Sequence, residues 1–124
     1  MNIVDSSGWL SYFADEPDAG HFLTPLNDAD SLVVPTVTIY EVFKVVLRES
    51  NENDALQAAV AMQKGTVAEL TSSLAIVASK LSLEYHLPMA DSIILATARQ
   101  FNAVLWTQDS DFKNIHGVKY FPKQ

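Results

Sequence analysis

The sequence predicts an α/β fold, with helices covering both faces of a parallel sheet. Three observations predict it. Five short apolar or alternating segments each run into an acid, a proline or a cluster of turn residues. Longer stretches with apolar residues at helical spacing separate them. No internal repeat, low-complexity tract or linker breaks that alternation, so right-handed parallel crossovers are the simplest connections.

The first strand is Ile3-Val4, which ends at Asp5. Gly8 to Phe13 reads as a helical turn or two, capped by Ser6 or Ser7. Pro17 suits the opening of a short helix with His21, Phe22, Leu23 and Leu26 on its apolar side. Leu32-Val33-Val34 is the second strand, stopped by Pro35. Thr36 or Thr38 then caps a long helix whose core face is Ile39, Val42, Phe43, Val46 and Leu47. Another helix runs from about 54 to 64 and ends at Gly65. The alternation from Thr66 to Thr71 reads as an edge strand. Ser72 or Ser73 caps a helix carrying Leu74, Ala78, Leu81 and Tyr85, and Ala90-Asp91-Ser92 opens the next. Ala103 to Trp106 is a buried strand, and Val118 to Phe121 a weak last one.

The 124 residues match the usual size of one domain. With no Cys, disulfides, thiolate catalysis and cysteine-based zinc sites are excluded, and a cytoplasmic location fits. No apolar run approaches the roughly 20 residues that span a bilayer, and no signal peptide is evident. A net charge of −7 argues against broad electrostatic attraction to nucleic acid. It leaves room for an acid cluster that meets phosphate through bound cations, and for a basic partner chain.

In a parallel sheet, strand C-ends and the N-ends of the following helices share one edge. That edge should collect Asp5, Glu41, Asp109 and Asp111. Asp91 joins them if the helix after Pro88 starts nearby. Carboxylates brought together repel and hold protons. A divalent cation relieves this, and oxygen donors without Cys or paired His favour Mg²⁺ or Mn²⁺. Singly, each acid also reads as a helix cap or a first-turn acid favoured by the helix dipole. Glu41 is expected in the first turn of its helix. Ser7 and Thr107 are hydroxyls that could orient these carboxylates. Lys44 and Arg48 could meet substrate phosphates, or pair with Glu41 on a solvated face.

Four blocks carry a family resemblance. They are Ile3-Val4-Asp5-Ser6-Ser7, Thr38-Ile39-Tyr40-Glu41-Val42, the segment from Leu87 to Ala98 around Asp91, and Leu105 to Phe112. Their order and spacing resemble PIN-domain proteins, specifically the VapC-type toxins of toxin–antitoxin pairs. The resemblance implies one PIN domain over residues 1–124, a three-layer α/β/α sandwich around about five parallel strands. It implies an Mg²⁺- or Mn²⁺-dependent endoribonuclease. Its catalytic and metal-binding acids would be Asp5, Glu41, Asp91 and Asp109, with Asp111 the alternative to Asp109, and with Ser7 and Thr107 in support. It further implies an RNA substrate, a cognate antitoxin and a homodimer; the lack of a long apolar run adds the expectation of no membrane association. The segment from Asp30 to Lys64 offers only Lys44, Arg48 and Lys64 as cations for RNA.

Two other readings compete. The same fold could serve as a non-catalytic binding or scaffold module. A phosphoacceptor domain needs a late lysine at the acidic edge, and only Lys113 and Lys119 are available.

Overall fold

The computed structural model describes all 124 residues. Five strands alternate with six α-helices in the order β1 (Asn2–Val4), α1 (Ser6–Phe13), α2 (Leu23–Leu26), β2 (Val33–Pro35), α3 (Thr36–Glu49), α4 (Glu52–Met62), β3 (Thr66–Ala68), α5 (Ser72–Tyr85), α6 (Met89–Gln100), β4 (Val104–Thr107) and β5 (Val118–Tyr120). Short 3₁₀ turns at Pro17–Phe22, Ala29–Ser31 and Ser110–Phe112 fill the connections.

Every strand pairing is parallel. β1, β4 and β5 form one ladder and β2 with β3 another. The Asn2–Leu32 bridge joins them, so the order across the molecule is β3-β2-β1-β4-β5. Chain direction reverses its march at β1, and β1 and β4 are neighbours there. Crevices at such switch points are where parallel sheets place their ligands.

The strands obey the two-residue period of a sheet buried on both faces. Ile3, Val33 and Leu105 enter one core with α5 and α6. Val4, Val34 and Trp106 face the opposite core with α1 and α4. α3 contributes to both, through Val37 on one side and Ile39, Val42 and Val46 on the other. The result is three layers. α6 is buried from Ser92 through Ala98, and Thr97 meets that burial by donating to the Ile93 carbonyl at 2.8 Å. α1 lies very close to β1: a Cβ on Gly8 would come within 2.5 Å of Val4 Cγ1 and 2.9 Å of the Phe22 ring. No helix is long and apolar enough to cross a membrane.

Several expected helix ends shift. α1 is capped by Asp5, not by Ser6 or Ser7: its carboxylate accepts from the Gly8 N–H at 3.1 Å. α3 begins after Pro35 with no side-chain cap, and neither Thr36 nor Thr38 caps it. Pro35 does not stop β2 but closes it, in register with Ala68. Since α3 starts at Thr36, Glu41 falls beyond the first turn, where the helix dipole offers it little. Thr71 caps α5 in place of Ser72 or Ser73. Asn51 caps α4, which starts at Glu52. The edge strand β3 is shorter than the 66–71 alternation, but it lies at the sheet edge as expected.

Candidate active site

Four segments deliver acids to the C-terminal edge of the sheet. Asp5 follows β1 directly, and Asp109 and Asp111 follow β4. Asp91 stands in the first turn of α6. Glu41 reaches the same edge from α3, where its carboxylate accepts from Ser6 Oγ beside Asp5, and its charge acts on Asp91 together with those of Asp5, Asp109 and Asp111.

Asp5 is buried, only 2 % exposed, and every contact it makes restrains it. Its Oδ1 accepts from Ser7 Oγ at 2.7 Å and from the Gly8 N–H at 3.1 Å. Its Oδ2 accepts from Thr107 Oγ1 at 2.6 Å. A carboxylate has roughly four acceptor positions, so about one stays free. Burial raises the Asp5 pKa to about 6, the three hydrogen bonds pull it down, and the Asp109 charge adds a smaller push upward.

The second corner is differently made. One carboxylate oxygen from each of Asp91, Asp109 and Asp111 lies within 4.8 Å of the others. Asp109 Oδ1 accepts from the Asp111 N–H at 2.9 Å, which folds the short turn that brings the two acids together. The Asp91 pKa is raised to about 7, first by burial, then by the like charges of Asp109, Asp5, Glu41 and Asp111. A first-turn position on α6 favours a carboxylate anion, so burial and repulsion outweigh the helix dipole here.

Hydroxyls stitch the corners together. Thr107 Oγ1 donates to Asp5 and accepts from the Asp109 N–H at 2.9 Å. Ser7 Oγ accepts from the Gln108 N–H at 3.3 Å while donating to Asp5. Ser6 Oγ donates to Glu41 Oε1 at 2.5 Å, across 35 residues of sequence. Consecutive serines therefore hold different acids. Ser6 was expected only as a cap, and Gln108 was not expected at all; both contacts are long-range and leave no periodic trace in the sequence.

No cation of the chain answers these acids. The one ion pair in the molecule joins Arg48 to Glu49 at 3.1 Å, on the exposed far end of α3. Lys44 lies 5.7 Å over the Tyr40 ring, and neither it nor Arg48 bonds Glu41. Lys119 stacks on Trp106 at 4.3 Å. The donor set is all carboxylate oxygen. Two oxygens held by one cation at 2.0–2.6 Å stand at most about 4–5 Å apart, and the Asp91, Asp109 and Asp111 oxygens all lie within 4.8 Å of one another.

Comparison with known proteins agrees with this architecture. The PIN domain family profile matches residues 3–118. No curated protein matches the chain in sequence. Among solved structures, a toxin–antitoxin complex from Klebsiella pneumoniae superposes with a TM-score of 0.84 at 22% identity, over 99% of this chain and 100% of that one. VapC20 of Mycobacterium tuberculosis, a toxin that cleaves the sarcin–ricin loop, gives 0.78 at 17% identity, over 94% and 95%. DNA-bound VapBC from Salmonella typhimurium gives 0.76 at 15%, over 98% of both chains. The order of strands, the acids at their shared edge and the profile match lead to one conclusion: the chain belongs to the PIN domain family.

Proposed function

We propose that this protein is a metal-dependent endoribonuclease, the toxin of a VapBC-type toxin–antitoxin pair. The observation that carries the reading is the meeting of Asp5, Glu41, Asp91, Asp109 and Asp111 at one edge with no cationic side chain among them. Asp91, Asp109 and Asp111 would hold Mg²⁺ or Mn²⁺, with Asp5 and Glu41 completing the cluster. Asp109 and Asp111 are then partners and not alternatives. When bound, such a cation polarises a phosphoryl oxygen and lowers the pKa of a water, which suits phosphodiester hydrolysis.

The side chains divide the remaining work. Ser7, Gly8 and Thr107 fix Asp5, so its free acceptor position keeps one direction. Ser6 fixes Glu41. Burial and the charges of its acidic neighbours push the Asp91 pKa up, so a bound cation would favour its ionised form. Lys44, one turn beyond Glu41 and free of any carboxylate partner, is the better candidate for a substrate phosphate; Arg48 lies a turn further on and pairs with Glu49.

Structural neighbours that are themselves toxin–antitoxin complexes support an antitoxin partner. A groove of ≈ 700 Å³ between α1, α3 and α4 also supports it, with an apolar floor of Phe13, Val46 and Ala58 and a rim of Glu16, Glu49 and Asp54. An apolar segment with basic flanks would complement it. A homodimer and a cytoplasmic location belong to the same reading.

The test is cleavage of a mixed RNA pool with Mg²⁺, with Mn²⁺ or with EDTA, alongside Asp5→Asn. Metal-dependent cleavage that the variant loses is the expected result. A protein that neither cleaves nor takes up a divalent cation would be a binding module on the same fold.

A further inference from the structure

We infer that Gln108 is a positioning residue for the carboxylate cluster, holding the first turn of α1 against the segment that follows β4. The inference rests on the metal-site reading above. Gln108 lies in a loop, where an amide side chain is normally solvated, yet it is only 5 % exposed. It grips one residue twice. Its backbone N–H donates to Ser7 Oγ at 3.3 Å, and its side-chain Nε2 donates to the Ser7 carbonyl, also at 3.3 Å. Ser7 in turn donates to Asp5, and the residues flanking Gln108 are Thr107, which donates to Asp5, and Asp109.

The clamp therefore joins the two chain segments that must stay in register for Asp5 to face Asp109 and Asp91. Without it, that register rests on the Thr107 hydroxyl bond to Asp5, on the Asp5 N–H bond to the Trp106 carbonyl at 3.1 Å and on the β1–β4 ladder, which ends at Val4 and Trp106. The clamp has a cost that an apolar residue would not incur. Gln108 Oε1 is buried without a partner. Unpaired buried polar atoms are unfavourable, so space-filling alone would favour a methionine at position 108. The amide is accounted for by what its Nε2 holds.

Gln108→Met keeps roughly the length and volume of the side chain and removes the Nε2 donor together with the unpartnered Oε1. Gln108→Asn keeps the amide but shortens its reach by one methylene. Gln63→Met is the control, since Gln63 Nε2 also donates to a backbone carbonyl, that of Ala59, at the exposed end of α4. Calorimetric titration of Mn²⁺ into each folded protein, without RNA and well below its melting temperature, separates positioning from general stability. Each Gln108 variant should bind Mn²⁺ about 10-fold more weakly than wild type, the lower range for outer contacts of metal ligands, and Gln63→Met should bind as wild type does. Wild-type affinity in a folded Gln108 variant overturns the inference alone. A wild-type protein that takes up no Mn²⁺ overturns the metal-site reading, and this inference with it.

Discussion

The two corners of the site are opposites. Asp5 sits in a finished environment, where three donors meet its oxygens and burial is partly compensated. Asp91 sits in an unfinished one, half-buried among four other acids. Both pKa values rise, but only that of Asp91 owes several of its causes to neighbouring charge. The difference teaches that the first corner holds a carboxylate still, while the second carries a repulsion that the cation of the proposed function would relieve.

The sharpest way to break that comparison is to remove charge from the unfinished corner. Asp91→Asn should lower RNA cleavage by about 10²–10³-fold, the scale of losing one group that stabilises transition-state charge. It should also raise the melting temperature of the metal-free protein, because one repelling charge is gone. Cleavage assays and thermal melts on the same preparation check both.

The finished corner should respond in the opposite sense. Thr107→Val strips a bond from Asp5 and leaves the Asp109 N–H without its acceptor. A loss of about 1–3 kcal/mol in urea unfolding is expected for such an orphaned pair. Gly8→Ala should cost a similar amount, about 1–3 kcal/mol, through overpacking against Val4 and Phe22. It should also lower cleavage, because it displaces the turn that holds Asp5.

Proton linkage gives a milder test. Folding raises the pKa of Asp5 from 3.8 to about 6 and that of Asp91 from 3.8 to about 7. Between pH 4 and 7 the folded chain thus binds more protons than the unfolded chain, and its stability falls as pH rises. Metal-free protein should melt at a higher temperature at pH 5 than at pH 8, and Mn²⁺ should restore stability at pH 8. Melts at the two pH values, with Mn²⁺ and with EDTA, decide it. The smallest effect belongs to Arg48→Ala. The Arg48–Glu49 pair is exposed, so its loss should change stability by less than about 1 kcal/mol and leave cleavage unchanged.

The strands and acid-bearing turns were legible in the sequence because their signals are local. An apolar run that stops at an acid announces both the strand and the residue at its C-end, as at Asp5, and the run before Asp109 gives way to Thr107 and Gln108 just ahead of the acid. Helix caps were less legible because several capping residues stand side by side. At Asp5-Ser6-Ser7 the aspartate takes the cap, and the serines are released to serve Glu41 and Asp5. At Pro35-Thr36 the chain turns into α3 with no side-chain cap, which moved Glu41 out of the first turn. The contacts that finish the site were not legible. Ser6 to Glu41 spans 35 residues and Gln108 to Ser7 spans 101, and no periodicity connects residues so far apart.

The measurement that bears most directly on the unfinished corner is the uptake of Mn²⁺ by wild-type protein and by Asp91→Asn near pH 8, where Asp91 is ionised. Saturable binding in the wild type, lost or weakened at least about tenfold in the variant, is the predicted result. No uptake by the wild type, or equal uptake by both, would contradict the account.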